Sequence, residues 1–235
     1  SQYIDDGWRE ELRVAKTIKY SQRLGDVLRC LPACKYLADQ GHEVFFDCFP
    51  QYHSVFDLVS YVKVGSKGNV LDLEIWPNKY EAYRKSKRSW TDFVYSHPEI
   101  KDADKINIIL DKLDDKPAVG LPETYNLVAA FGNSQGFYRN PLELITKARN
   151  DLGKDNFYVM TPPEIQIQGL STYTAPSVSE MAKAIRGAKD FWAINSTPIV
   201  LASVVRRGKP TAFFPQKNEW ETDNIFDFEG MFRMD

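Results

Sequence analysis

Three short stretches of this chain gather residue types that can handle an anionic, phosphate-bearing substrate. The first is Leu24-Gly25-Asp26-Val27-Leu28, which puts a carboxylate directly behind a glycine at the head of a helix-patterned run. A carboxylate there is favoured by the positive end of the helix dipole, so it reads as a helix cap or as a catalytic aspartate. The second is Gly132-Asn133-Ser134-Gln135-Gly136-Phe137-Tyr138-Arg139-Asn140-Pro141. Its two glycines let the backbone approach an anion, and Arg139 supplies a cation just before a helix. The third is Asn195-Ser196-Thr197-Pro198, small polar residues at a strand-to-helix turn. Their N–H groups can cap the helix, hold a pyrophosphate, or do both. None of the three has GxGxxG or Walker spacing, so each takes its meaning from its place in the order of elements.

That order is an alternation of strands and helices. From Thr17 to Cys48 the chain reads as a short apolar strand, a loop, a helix with Val27, Leu28, Leu31, Cys34, Leu37 and Ala38 on one face, a Gly41 stop and a second apolar strand. This is one βαβ unit, and Asp190 to Pro215 has the same design. Between them, Asp57–Val64 and Asn69–Ile75 read as strands around a Gly65–Gly68 turn, and Tyr125–Phe131 as a strand leading to a helix from Pro141 to about Leu152. Asn156–Met160 and Gln166–Thr174 supply further edges, and Ser177 with Glu180 forms a capping box for a helix carrying Met181, Ala184, Ile185 and Ala188.

Lys112–Glu123, with Asp114, Asp115, Pro117, Gly120 and Pro122, is the expected linker. It divides the chain into an N-terminal domain, 1–116, and a C-terminal domain, 117–235. The expected fold is α/β, two small Rossmann-like domains facing a cleft, with an aromatic tail (Trp220, Phe226, Phe228, Phe232) packing back on the body. In open α/β sheets ligands collect at the carboxyl ends of the strands, where Asp26, Arg139 and Asn195–Thr197 all fall.

Composition narrows the partners. The 235 residues are 43% apolar, enough for a packed core, and 30 basic against 32 acidic residues give a net charge of −2. No general field draws the chain to nucleic acid or an anionic membrane, so any such role rests on a local patch. Asn78–Tyr95 is that patch: Lys79, Arg84, Lys85, Lys87 and Arg88 alternate with aromatic residues, which reads as a solvated helix face or as an anion site. No apolar run approaches the roughly 18 residues of a membrane span, and the expected location is cytoplasmic. Cys30, Cys34 and Cys48 lack zinc spacing and read as buried thiols. His42, His53 and His97 sit in no nucleophile motif.

Taken together, the two βαβ units resemble the ADP-heptose:lipopolysaccharide heptosyltransferase family, whose architecture is called GT-B. The resemblance rests on Leu24-Gly25-Asp26-Val27-Leu28 with Leu31-Pro32, and on Asn195-Ser196-Thr197 with Leu201-Ala202, Pro210 and Phe213-Phe214. It implies a metal-independent, inverting glycosyltransferase that uses a nucleotide-sugar as co-substrate, with no cofactor and no metal. By the same resemblance Asp26 is the catalytic base, and Gly132, Asn133, Ser134, Arg139, Asn195, Ser196 and Thr197 bind the donor. Arg23, His53, Arg84 and Arg88 are the acceptor-side candidates, and the resemblance makes 1–116 the acceptor domain and 117–235 the nucleotide-sugar donor domain. This chain departs from the family where Asn195-Ser196-Thr197 replaces Asp-Thr-Gly and Val200 replaces a histidine, which leaves the donor sugar open.

Two other readings stay open at this stage. A compact transferase acting on hydroxymethylated DNA bases, of the kind phages encode, would track the strand with Lys79–Trp90. A two-lobed protein that binds a nucleotide or nucleotide-sugar without turnover would explain Asn195, while Asp26 speaks against it. In the heptosyltransferase-like reading the acceptor stays open, a glycan or lipid-linked saccharide.

Overall fold

Apolar runs without alternation, such as Val44-Phe45-Phe46 and Leu127-Val128-Ala129, belong to strands covered on both faces, as in parallel sheets. The computed structural model describes residues 14–132, 140–214 and 230–234, and it contains two such sheets. The first joins β1 (Ala15–Lys19), β2 (Glu43–Asp47), β3 (Lys63–Val64) and β4 (Asn69–Asp72) in the order β3-β2-β1-β4, all parallel. The second joins β5 (Asn126–Ala129), β6 (Phe157–Met160), β7 (Ser171–Tyr173), β8 (Phe191–Ile194), β9 (Thr211–Phe214) and β10 (Met231–Arg233) in the order β10-β9-β8-β5-β6-β7, again all parallel. In both sheets the order reverses beside the first strand, between β1 and β4 and between β5 and β8. These are the topological switch points where open α/β sheets bind ligands.

The first connection differs from the single expected helix. It is α1 (Leu24–Arg29) followed by α2 (Leu31–Asp39), broken at Cys30. Pro32 has no N–H and clashes inside a helix, so the chain restarts with proline in the first turn, where it is tolerated. Gly41, at φ +90, then ends α2 with its amide on the carbonyl of Ala38. Asp57–Val64 is a clear correction: Pro50–Leu58 is a 3-10 helix, and only Lys63–Val64 is strand. Tyr52, Val55 and Leu58 recur every third residue, the period of that helix, and Val55 and Leu58 are buried. The basic stretch is likewise two helices, α3 (Tyr80–Ser86) and α4 (Trp90–Val94). Lys87 turns left-handed at φ 56 and the Ser89 hydroxyl caps α4 at the amide of Asp92.

In the second half, α5 (Pro141–Leu152) and α6 (Val178–Gly187) match the expected spans, and the Ser177 hydroxyl accepts from the Glu180 amide at 3.1 Å. α7 (Thr197–Val205) is buried all round from Pro198 to Ser203 and packs on both α1 and α6. Ile199 and Leu201 share one continuous core with Val27, Leu28 and Ile18. Each such aliphatic side chain contributes about 1.5–3 kcal/mol by leaving water, so α7 is a common support of both sheets. Of the tail, β10 completes the second sheet, while Trp220, Phe226 and Phe228 lie outside the described residues.

Two polar devices fasten these layers. Arg206 is fully buried, and its guanidinium donates to the carbonyls of Ile185, Ala188, Lys189 and Pro210 and to the Thr211 hydroxyl. It satisfies the turn carbonyls on either side of β8 that would otherwise be desolvated. The segment before β5 is clasped to α6: Arg186 donates to the carbonyls of Asp114 and Lys116, each at 2.8 Å, and the Val119 amide donates to Glu180 Oε2 at 2.9 Å. Lys183 bridges Asp114 and Glu180, each at 3.1 Å.

Candidate active site

At the end of β1 the chain passes through Tyr20, Ser21, Gln22 and Arg23 before α1 begins. Glu74, just past β4, holds this loop: its Oε1 accepts from the Ser21 amide at 2.8 Å and from the Ser21 hydroxyl, and its Oε2 lies 3.8 Å from Lys19 Nζ. The switch point of the first sheet is thus tied across by one carboxylate. Arg23 has φ 64 and ψ 124, a conformation that costs a non-glycine residue energy and that clusters at functional sites. Its side chain is exposed.

Asp26 lies in the first turn of α1, yet it caps nothing. Its Oδ2 accepts from the Tyr20 hydroxyl at 3.0 Å, and Oδ1 lies 3.5 Å from a guanidinium nitrogen of Arg29. The Tyr20 oxygen in turn accepts from the Trp90 indole N–H at 3.2 Å, and the two rings meet edge to face at 5.5 Å. Arg29 stacks on Trp90 at 4.3 Å and reaches the Thr91 hydroxyl at 3.4 Å. Burial pushes the Asp26 carboxyl above its ordinary range, opposed by Arg29, then by the Tyr20 hydrogen bond and Arg23. Burial likewise pushes the Tyr20 phenol far up and lowers the Arg29 guanidinium. A carboxylate with raised proton affinity that is still 18% exposed is suited to general-base work.

The second sheet supplies the opposite wall. The Ser196 hydroxyl turns back to the carbonyl of Ile194 at 3.2 Å, so the first turn of α7 has no side-chain cap. A Cβ on Gly132, at the end of β5, would lie 3.2 Å from Ser196 Cβ. A Cβ on Gly25 would lie 3.4 Å from Thr197 Oγ1 and 3.6 Å from its amide nitrogen. The loops after β1 and β5 and the turn after β8 therefore meet, and the two switch points face each other.

Of the residues singled out in the sequence, Asp26, Gly132, Ser196 and Thr197 belong to this junction, with Asn195 in the same turn and Arg23 on its rim. Asn133, Ser134 and Arg139 lie outside the described residues. His53 is on the 3-10 helix after β2, its ring nitrogen 3.3 Å from the carbonyl of Cys48. Arg84 and Arg88 are exposed on α3 and on the turn that leads to Trp90. Trp76, 56% exposed and edge to face with Tyr80, adds an aromatic surface just beyond β4. The sequence reading missed Tyr20, Arg29 and Trp90. Arg29 carried a signal, since residues three apart on a helix are neighbours; Tyr20 and Trp90 meet only through the tertiary fold. Among the described residues no group of three or more His, Cys, Asp or Glu side chains gathers to hold a metal ion, and no helix is long and apolar enough to cross a membrane.

Two parallel Rossmann-ordered sheets meeting at their switch points define a GT-B-like α/β architecture, shared with glycosyltransferases of known structure. The iron-containing dodecameric glycosyltransferase TibC from enterotoxigenic E. coli superposes with a TM-score of 0.65 at 14% identity over 94% of this chain, which spans 62% of the TibC length. A family 9 glycosyl transferase from Veillonella parvula gives 0.62 at 12% identity, covering 94% of this chain and 85% of the other. The E. coli heptosyltransferase WaaC with ADP gives 0.52 at 12% identity, covering 94% and 92%. No protein-family model matches the sequence, and no curated protein matches it, so the likeness is one of fold.

Proposed function

We propose that the chain is a metal-independent, inverting glycosyltransferase that moves a sugar from a nucleotide-sugar donor to an acceptor hydroxyl. The observation that carries this reading is the junction itself: Gly25, next to the partly buried, proton-avid carboxylate of Asp26, lies so near the uncapped start of α7 that an added Cβ would touch Thr197. Asp26 takes the proton of the acceptor hydroxyl as its oxygen bonds to the anomeric carbon, and the anomeric C–O bond to the nucleoside diphosphate breaks. Backbone N–H groups at Ser196 and Thr197, with Arg139 two residues before α5 in the sequence, stabilise the charge on the departing nucleoside diphosphate. Gly132, Asn133, Ser134 and Asn195 complete the donor side. ADP-type donors are the first to try, because the TibC and WaaC structures hold ADP-heptose and ADP-2-deoxy-2-fluoro heptose.

The acceptor side is aromatic and basic. Trp76 offers a ring face for a saccharide, while Arg23, Arg84 and Arg88 are exposed cations for an anionic group, with His53 on the same carboxyl-end side of the first sheet. A DNA acceptor would use the same cations, and its binding would fall steeply with salt. The deciding experiment is a thermal-shift and turnover series on wild type and Asp26→Ala with ADP, UDP, GDP and their sugar conjugates, with and without EDTA. One nucleotide should stabilise both proteins, and only the wild type should then release the nucleoside diphosphate from the matching donor. Loss of turnover on chelation, restored by a divalent cation, would overturn the metal-independent mechanism. Nucleotide binding without turnover of any donor would reduce the protein to a binding module.

A further inference from the structure

We propose that Tyr20 and Trp90 are positioning residues for Asp26: the indole N–H orders the phenol, the phenol holds Oδ2, and Oδ1 is left as the atom that receives the acceptor proton. This deepens the transferase reading and rests on it. The polarity of the relay follows from elementary donor and acceptor chemistry. An indole N–H can only donate, so its bond to the Tyr20 oxygen at 3.2 Å occupies the phenol as an acceptor. The single phenol proton is then directed to Asp26 Oδ2 at 3.0 Å. Oδ1 meets Arg29 only at 3.5 Å, the outer limit of a hydrogen bond, and so keeps accepting capacity.

The relay is built from buried parts. Tyr20 and Trp90 are 5% and 6% exposed and come from the end of β1 and the start of α4, so the carboxylate is referenced to the sheet and to a second helix at once. Among the described residues, the charged and titratable groups facing Asp26 are Tyr20 just past β1, Arg23 from the loop, and Arg29 and Cys30 from α1 and its end; Tyr83 of α3 bears on Arg29. Across the junction α7 presents Thr197, which does not titrate. Of these groups the Tyr20 O–H is the one that can be deleted while its ring stays in place.

The test is carboxyl-carbon NMR of the full chain labelled at aspartate, with Asp26→Asn assigning the resonance. A donor to the charged form lowers a carboxyl pKa, so removing it raises the midpoint. Tyr20→Phe should move the Asp26 midpoint up by about one pH unit, the equivalent of a tenfold change in proton affinity. Trp90→Phe should move it in the same direction by less, and the acid limb of kcat/KM should follow both shifts. A merely structural role would lower the rate equally at all pH values. An unchanged midpoint in Tyr20→Phe overturns the proposal; if that variant does not fold, an unchanged midpoint in Trp90→Phe does so. A wild type that turns over no nucleotide-sugar sinks the transferase reading instead, while the titration still decides whether Tyr20 governs Asp26.

Discussion

Gly25 and Thr197 come from opposite halves of the chain and meet backbone to backbone: a Cβ on Gly25 would stand 3.5 Å from Thr197 Cα. That spacing is ordinary van der Waals contact, so a methyl group fits and anything larger pushes α1 and α7 apart. Gly25→Ala should therefore leave the melting temperature unchanged or raise it, since alanine suits a helix better than glycine by about 0.5–1 kcal/mol. Gly25→Leu should cost about 1–3 kcal/mol in chemical denaturation and weaken nucleotide binding in the same protein.

Asp26→Asn separates fold from chemistry. On the proposed role of Asp26 as general base, the substitution should lower turnover by about a hundredfold to ten-thousandfold, measured as nucleoside diphosphate release at saturating donor. Stability should move the other way. The folded carboxyl binds its proton more tightly than the unfolded one, so the native state holds more protons between the two pKa values and stability falls as pH rises through that window. Asp26→Asn removes this penalty. Its melting temperature should exceed that of the wild type at pH 8, and the gap should close at about pH 3.5, below the ordinary carboxylate range.

Arg206 gives a prediction on stability alone. Its five hydrogen bonds serve four turn carbonyls and one hydroxyl, all on elements around β8. Arg206→Ala leaves those groups buried and unsatisfied, and urea melts should show a loss of about 3–5 kcal/mol. Arg206→Lys should recover only part of it, because a point ammonium cannot span the positions that the planar fork reaches.

The clasp on α6 should open with acid. A backbone hydrogen bond from Val119 and the Lys183 ammonium hold the Glu180 carboxyl below its usual range; the Lys116 amide and Lys183 do the same for Asp114. A carboxyl with a depressed folded pKa contributes stability that is present above its unfolded pKa and lost as pH falls through the folded one. The protection factor of the Val119 amide, its exchange relative to the intrinsic rate at the same pH, should therefore fall below about pH 4, the ordinary carboxylate range, before protection is lost in β5. Arg186→Ala should produce the same local opening at neutral pH, seen as faster proteolysis within residues 112–123.

Legibility in the sequence followed the range of the interaction. The head of α1, the turn before α7 and the capped starts of α5 and α6 are set by glycine, proline, asparagine and serine within four residues of the feature they create, and each stands where the pattern puts it. Asp57–Val64 misleads because Leu58, Val59, Val62 and Val64 resemble an irregular strand, whereas Asp57 and Leu58 close the 3-10 helix and only Lys63–Val64 pairs as strand. The break at Cys30 was written in Pro32, one turn into an otherwise unbroken apolar stripe. The surroundings of Asp26 were hidden for a different reason: Tyr20 and Trp90 are 70 positions apart and come together through packing that no local window contains.

Helix α7 has a consequence for how the molecule senses what it holds. Its first turn faces the junction, and its body, from Ile199 to Ala202, is shared interior for both sheets. Drawing the halves apart as independent lobes would bring those residues into water. A small anion at Thr197, where the donor diphosphate is proposed to sit, should therefore slow hydrogen exchange in β1 and β8 together.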